Sequence, residues 1–152
     1  MENLDCNLQL KTLADNGYFT GYASVFDHLD RQQDVVLSGA FNSAIKAPKT
    51  VKLLWQHDPA TPIGTINYLE EDDYGLYVEA KLLLDVQKGR EAYALLKNGA
   101  INGLSIGYNV KDYVIDTESG IRLIKAVNLY EISVVTFPAN EMAEVRTVKF
   151  NN

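Results

Sequence analysis

The chain has 152 residues, of which 47% are hydrophobic and 22% are charged, and its formal net charge is −6. This length predicts one domain over residues 1–152, with a core from about residue 7 to 150, and the acidic balance argues against a nucleic-acid-binding surface. One cysteine and two histidines exclude an internal disulfide, argue against a zinc site and favour a reducing compartment. The sequence lacks the long apolar run of a membrane span and the pattern of a signal peptide, so we expect a soluble, intracellular protein without metal or cofactor.

The first half of the chain alternates between strand patterns and turn signals. Apolar and β-branched residues that alternate with polar ones predict strands, whereas Ser38 is typical of a residue that caps a helix. The acidic run at residues 70–73 is interpreted as a solvated hairpin loop. The predicted elements are strands at residues 7–12, 18–26, 51–55 and 63–69 and a helix at residues 39–46, which ends before Pro48.

The second half predicts one longer helix and a series of hairpins. Asp85 can cap a helix over residues 86–98, and Gly99 stands where glycine often ends a helix. Alternating patterns predict strands at residues 75–84, 105–115, 121–127 and 129–137, and residues 144–150 form either a last short strand or an ordered tail. Because strands outnumber helices and most connections look like hairpins, we expect a mainly β fold. Its predicted architecture is an antiparallel β-barrel of about seven or eight strands with two or more short peripheral helices.

One serine stands between two glycines inside a strand pattern. Ser105 is flanked by Gly103 and Gly107, so its hydroxyl is open to a substrate backbone and could be a nucleophile. The alternative is a polar position on the outer face of a half-buried strand. The residues also match the G-x-S-x-G nucleophile elbow of α/β-hydrolases, but that motif needs a helix after the serine and a histidine further on. Neither is present here, so we reject that assignment.

A serine nucleophile needs a general base and a group that orients the base. Only His28 and His57 are available as histidine bases; His28 lies in a polar loop, whereas His57 directly follows an apolar strand. Glu131 stands in the middle of an apolar strand, where a carboxylate must be either paired or exposed. Glu131 is therefore the candidate for the third role, with Asp58 and Asp34 as alternatives.

These residues belong to stretches that resemble the prohead maturation proteases of tailed bacteriophages of the HK97 type. The similar stretches occur in the same order from about residue 17 to residue 145. They are residues 21–26, 34–41, 53–58, 62–64, 75–78, 103–108 and 131–140.

The resemblance implies a serine endopeptidase that works inside the immature capsid, in the host cytoplasm. It would cut scaffold and major capsid proteins, and often itself, before DNA is packaged. The family is similar in fold to the herpesvirus assembly proteases, a β-barrel with surrounding helices, and this similarity implies a homodimer or higher homo-oligomer. Those enzymes carry histidine, serine and a second histidine in that order; here the order is His57, Ser105 and Glu131.

The same similarity implies an oxyanion donor in the loop that follows the third group. In this chain that loop spans residues 137–140, with Ala139 and Asn140 as the candidate residues. Members of the family usually carry a longer, charged C-terminal region. A chain that ends at Asn152 is therefore expected to be a trimmed or truncated core, or a short member encoded beside other domains.

Two other functions fit the same residues. The first is a non-enzymatic barrel that binds scaffold or capsid protein during assembly, which predicts that His57 and Ser105 lie far apart. The second is an esterase-type hydrolase that uses the same pair of residues. Neither the protease nor these alternatives implies a nucleic-acid or membrane partner.

Overall fold

The computed structural model describes residues 2–7, 12–30 and 33–137, and β-strands dominate it. The strands are β1 (Glu2–Asn7), β2 (Thr12–Leu13), β3 (Tyr18–Val25), β4 (Asp34–Val36), β5 (Lys52–Trp55), β6 (Asp58–Glu71), β7 (Gly75–Leu82), β8 (Gly103–Ile115) and β9 (Arg122–Val135). The helices are α1 (Asn42–Ile45) and α2 (Gln87–Lys97), and one 3₁₀ turn spans Pro48–Thr50. The predicted mainly β class is confirmed.

The strands form one curled sheet that is open rather than closed. Its hydrogen-bonded order is β1-β8-β9-β5-β6-β7-β3-β2, with β4 added beside β9. This order has two free ends, so the predicted closed barrel is wrong for the part of the chain that the structure describes. The sheet still curls, because β3 contacts both β1 and β8 across the core.

The prediction of a wholly antiparallel sheet is also wrong. Strands β4 and β5 both pair with β9 in parallel, one after the other along the same edge. The segment that contains α1 and the 3₁₀ turn connects β4, which pairs with the start of β9, to β5, which pairs with its end. The sequence pattern predicted a helix in this segment, but it did not predict that β4 and β5 pair with the same edge of β9.

The hydrophobic core lies inside the curl of the sheet. The largest fully buried side chains include Tyr108, Phe19 and Phe41. Leu104 and Ile106 on β8 and Ile132 on β9 are also fully buried, as the alternation of these strands requires. No helix of the described residues has the length and apolar character needed to cross a membrane.

Several predicted elements have different bounds. β9 is one continuous strand instead of two, because it pairs with β8 along its whole length despite local irregularities of register. β6 starts at Asp58 and extends into the acidic run, and α1 is only one turn long. The predicted strand at residues 144–150 and most of the one at 7–12 lie outside the described residues.

The side-chain caps expected at the starts of the two helices are absent, and the acidic run supplies a different contact. Neither Ser38 nor Asp85 caps a helix, since α1 begins after Phe41 and α2 after Val86, both without a side-chain cap. The Glu71 carboxylate instead accepts the backbone N–H groups of Gly39 at 2.5 Å and Phe41 at 2.9 Å. The solvated loop predicted for residues 70–73 is therefore wrong for Glu71, which holds the entry to α1.

Candidate active site

Three adjacent strands bring the candidate residues to one region of the sheet. β9 lies between β8 and β5, and Ser105 on β8 is directly opposite Ser133 on β9. Glu131 precedes Ser133 by two residues, so both side chains point to the same face of the sheet as Ser105. This face of the three strands therefore carries two hydroxyl groups and one carboxylate.

His57 comes to this face from a tight turn between β5 and β6. Trp55 pairs with Asp58, which leaves a loop of only Gln56 and His57, and both have positive φ angles, 51° and 60°. Positive φ at both central residues is the pattern of a type I′ hairpin turn, which usually contains asparagine and glycine. For residues with a Cβ this conformation costs about 1–3 kcal/mol each.

Backbone hydrogen bonds to β9 hold the turn in this conformation. The Gln56 N–H donates to the carbonyl oxygen of Val134 at 3.0 Å, and the His57 N–H donates to Ser133 Oγ at 3.1 Å. The turn is therefore attached to the same strand that carries Glu131. The His57 ring position is thus determined by β9 as well as by the hairpin itself.

A continuous chain of hydrogen bonds connects Ser105, His57 and Glu131. The Ser105 hydroxyl bonds His57 Nε2, and His57 Nδ1 lies 2.5 Å from Glu131 Oε1. Because an ionised carboxylate can only accept, Nδ1 carries the proton and donates to it, which leaves Nε2 to accept from Ser105. This is the tautomer that a general base needs. Its assignment rests on the hydrogen-bond partners.

Burial differs along this chain of residues. Ser105 is fully buried, so the prediction that its hydroxyl is open to a substrate backbone is wrong for this structure. Ser133 is also fully buried, the Glu131 side chain is 7% exposed, and the His57 side chain is 23% exposed. The carboxylate is thus shielded from water, which strengthens its attraction for a positive ring. The imidazole lies at the border between this shielded group and solvent.

Sequence reasoning missed two groups that support the site. Ser133 Oγ donates to Glu131 Oε2 at 2.5 Å, so both carboxylate oxygens accept a hydrogen bond. The Gln56 side chain donates to Thr136 Oγ1 at 2.5 Å and accepts the Thr136 N–H at 3.2 Å. The spacing of Glu131 and Ser133 on one strand face was a usable signal for the first group. Nothing in the sequence indicated the second.

The alternative candidates are occupied elsewhere. Asp58 accepts Thr61 Oγ1–H at 2.6 Å and the Ala60 N–H at 2.9 Å, and these two bonds lower the pKa of its exposed carboxyl. Asp34 is buried and binds Arg122 through both carboxylate oxygens, at 2.8 and 2.7 Å. Arg122 precedes Glu131 by nine residues on β9, or about 30 Å of extended strand. Neither aspartate therefore belongs to the site.

The remaining predicted residues are separate from this cluster or outside the described chain. His28 lies half-buried in the loop before β4. Ala139 and Asn140 are outside the described residues, so their role as oxyanion donors stays a prediction. In residues 2–7, 12–30 and 33–137, no three His, Cys, Asp or Glu side chains form a group that could hold a metal ion.

Comparison with known families gives matches over nearly the whole chain. The model of the family described as caudovirus prohead serine protease matches residues 5–152. The prohead protease of Enterobacteria phage HK97 is 38% identical over 138 residues, which are 88% of this chain and 60% of that protein. The prohead protease of Escherichia phage T5 is 30% identical over 135 residues, 87% of this chain and 63% of that protein.

Two further matches extend the comparison. A capsid polyprotein of Pseudomonas phage PAJU2 is 33% identical over 150 residues, which are 93% of this chain but only 22% of the polyprotein. The solved structure of the bacteriophage T4 capsid assembly protease aligns with a TM-score of 0.62 over 91% of this chain and 100% of that one. At 14% identity this likeness concerns the fold alone. The chain spans about three fifths of the length of the two prohead proteases that it matches.

Proposed function

Because the chain belongs to the caudovirus prohead serine protease family, we propose that it is a serine endopeptidase with Ser105 as its nucleophile. His57 is the general base, and Glu131 orients the imidazole and stabilises its positive form. The observation that carries this proposal is the chain of hydrogen bonds from the Ser105 hydroxyl through the His57 ring to the Glu131 carboxylate. A binding module has no need of a serine, a histidine and a carboxylate in this order.

The proposed reaction passes through an acyl-enzyme. His57 Nε2 accepts the Ser105 proton while Ser105 Oγ bonds to the carbonyl carbon of the scissile peptide. The imidazolium then gives the proton to the leaving amine, the C–N bond breaks, and an ester of Ser105 remains. A water molecule then attacks the carbonyl carbon of this ester and gives a proton to His57 Nε2. The imidazolium passes that proton to Ser105 Oγ as the C–Oγ bond breaks, which releases the acid product and free Ser105. Glu131 remains ionised and attracts the positive ring in each step.

We place the oxyanion donors in the loop at residues 137–140, at Ala139 and Asn140. The support is where the loop starts, because Thr136 is bonded twice to Gln56, the neighbour of His57. Removal of one oxyanion donor, a side-chain amide, costs about 2.7–4 kcal/mol in a well-studied serine protease. Phe137 at the start of this loop is 84% exposed and is available to contact a substrate.

The proposed substrates are the scaffold and major capsid proteins of the same phage, and also the protease itself. The names of the matched relatives support this class of substrate, since they include prohead proteases and a capsid polyprotein. The place of action would be the procapsid in the host cytoplasm. A single protease domain over residues 1–152, a fold relationship to the herpesvirus assembly proteases and a homodimer or higher homo-oligomer belong to the same proposal.

The test combines a serine-directed probe with the natural substrate. A fluorophosphonate should label the protein, and peptide mass spectrometry should locate the label at Ser105. Co-expression with the major capsid protein should give cleavage that falls about 10⁴-fold or more in Ser105→Ala and His57→Ala. Ser24→Ala is the matched control, because Ser24 is also fully buried and its hydroxyl has no hydrogen-bond partner in the described structure.

Two outcomes would contradict the proposal. Equal cleavage by Ser105→Ala and the unchanged protein would exclude Ser105 as the nucleophile. Hydrolysis of small esters without cleavage of capsid or scaffold protein would favour the esterase.

A further inference from the structure

Ser133 bonds both Glu131 and the backbone of His57. It is fully buried in β9, directly opposite Ser105 in the β8–β9 pair. Its hydroxyl donates to Glu131 Oε2 at 2.5 Å and accepts the His57 N–H at 3.1 Å. A serine hydroxyl has a single hydrogen, so the donor is committed to the carboxylate and an acceptor site to the amide.

We infer that Ser133 is a positioning residue that sets the carboxylate and the imidazole relative to each other. This inference rests on the proposed function, because it concerns the geometry of the same site. It assigns no contact with substrate to Ser133. Its effect passes through Glu131 and His57.

Both partners of Ser133 have a degree of freedom that would weaken the site. Glu131 Oε1 binds the ring, so rotation of the carboxylate would lengthen that bond unless Oε2 is also held. His57 has a φ of 60°, a conformation that a residue with a Cβ leaves readily unless other contacts hold it. One hydroxyl restrains both motions, and a general base loses rate steeply when its position shifts.

A buried serine can also be merely a small residue that fits a strand. Ser24 on β3 represents that case, because it is fully buried and its Oγ has no hydrogen-bond partner in the described part of the chain. Ser133→Ala and Ser24→Ala therefore remove the same atoms from equally buried strand positions. Only the first removes hydrogen bonds to the candidate site.

The first experiment measures cleavage of a fluorogenic peptide whose sequence is that of the processing site in the capsid protein. For Ser133→Ala we expect kcat to fall about 10- to 100-fold with little change in KM. In metal sites, loss of a group that hydrogen-bonds to a metal ligand has an effect of this size. Ser24→Ala should stay within about twofold of the unchanged protein, and Ser133→Thr, which restores the hydroxyl, should recover most of kcat. A kcat for Ser133→Ala equal to that of Ser24→Ala would overturn the inference.

The second experiment needs no activity. The proton that His57 Nδ1 shares with Glu131 should give a low-field proton NMR signal, which can be recorded in a Ser105→Ala background. Ser133→Ala should shift or broaden this signal, whereas Ser133→Thr and Ser24→Ala should leave it in place. An unchanged signal in folded Ser133→Ala would overturn the inference.

The two experiments separate the inference from the proposed function. Cleavage that survives Ser105→Ala contradicts the proposed function, and the signal in that background still decides whether Ser133 positions His57. Thermal unfolding of each variant identifies loss of fold. If Ser133→Ala does not fold, Ser133→Thr is compared with the unchanged protein instead. Ser133→Thr keeps the hydroxyl, so a folded Ser133→Thr with a low kcat and a displaced NMR signal would count against a role for the hydroxyl.

Discussion

Strand β9 carries a buried carboxylate contact near each of its ends, and the two contacts are built differently. At its start, Arg122 binds both oxygens of Asp34, whose side chain is 2% exposed. Towards its end, Glu131 binds the His57 ring through one oxygen and Ser133 through the other. Both carboxylates are shielded from water and bound to a nitrogen base. The second contact continues through the imidazole ring to the Ser105 hydroxyl.

The difference shows that a buried, paired carboxylate is not by itself a sign of catalysis. The guanidinium of Arg122 stays positive at any ordinary pH and has only donors, so it cannot take a proton from a neighbouring group. Imidazole has a second nitrogen that can accept a proton near neutral pH, so the same kind of contact extends to a hydroxyl. The partner of the carboxylate therefore decides whether the contact stabilises the fold or transfers protons.

Among the variants that compare the two carboxylate contacts of β9, Glu131→Gln should have the largest effect on activity. Glu131→Gln keeps the size of the side chain but removes the charge that holds the His57 tautomer and attracts the positive ring. We expect kcat to fall about 10⁴-fold, as when the acid of a Ser-His-Asp triad becomes an amide. Peptide cleavage by the purified variant measures this. Glu118→Gln, at an exposed glutamate in the β8–β9 turn, is the control and should keep full activity.

Replacing Arg122 should affect the stability of the fold rather than the activity. Arg122→Met leaves the Asp34 carboxylate buried without this cation, so the free energy of unfolding should fall by about 3–5 kcal/mol. Urea unfolding measures the change, and the folded fraction should keep its kcat. Lys125, on the same strand as Arg122, makes an exposed contact of 4.0 Å with Asp112 on β8. Lys125→Met removes this contact and should lower the free energy of unfolding by less than about 1 kcal/mol. Loss of activity in folded Arg122→Met would show that the two ends are coupled.

Two further carboxylates bind tyrosine hydroxyl groups, and these contacts should have the smallest effect on the free energy of unfolding. The Tyr22 hydroxyl bonds Asp72, and the Tyr77 hydroxyl donates to Glu79 at 2.8 Å. Burial, with added contributions from these carboxylates, raises the pKa of Tyr22 and of Tyr77 to about 12.

The sign of the resulting pH dependence follows from linkage. The unfolded chain has a tyrosine pKa near 10, so between about pH 10 and 12 the folded state binds more protons. The free energy of unfolding should be fully retained below about pH 10 and should fall as the pH rises towards 12. Urea unfolding at several alkaline pH values measures this slope, and Tyr22→Phe or Tyr77→Phe should reduce it. Tyr113→Phe, at an exposed tyrosine of β8, is the control. An unchanged slope in both test variants would contradict this assignment.

Several features were predictable because they depend on residues close together in the chain. Alternation of apolar residues predicted most strands, and α2 was expected within a residue of its start and end. Ser105, His57 and Glu131 were selected because only a few residue types can act as nucleophile, base and orienting acid. The structure brings these three together. Of the three candidate acids, Glu131 contacts His57, whereas the two aspartates bind other residues.

Other features depend on pairing between distant segments, which local patterns do not specify. The open sheet, the parallel edge that β4 and β5 share on β9, and the missing helix caps all follow from which backbone groups meet. The His57 turn has positive φ without glycine or asparagine, so no turn signal was present to read.

The sequence by itself determined the composition of the site: one serine in a strand, one histidine after a strand and one carboxylate in an apolar run. Only the tertiary structure decided how they are held, through the Ser133 hydroxyl and the bonds from Gln56 to β9. The physical reason is that a side chain's chemistry is local, whereas its hydrogen-bond partners come from strands that lie far apart in the chain and meet only when the sheet forms.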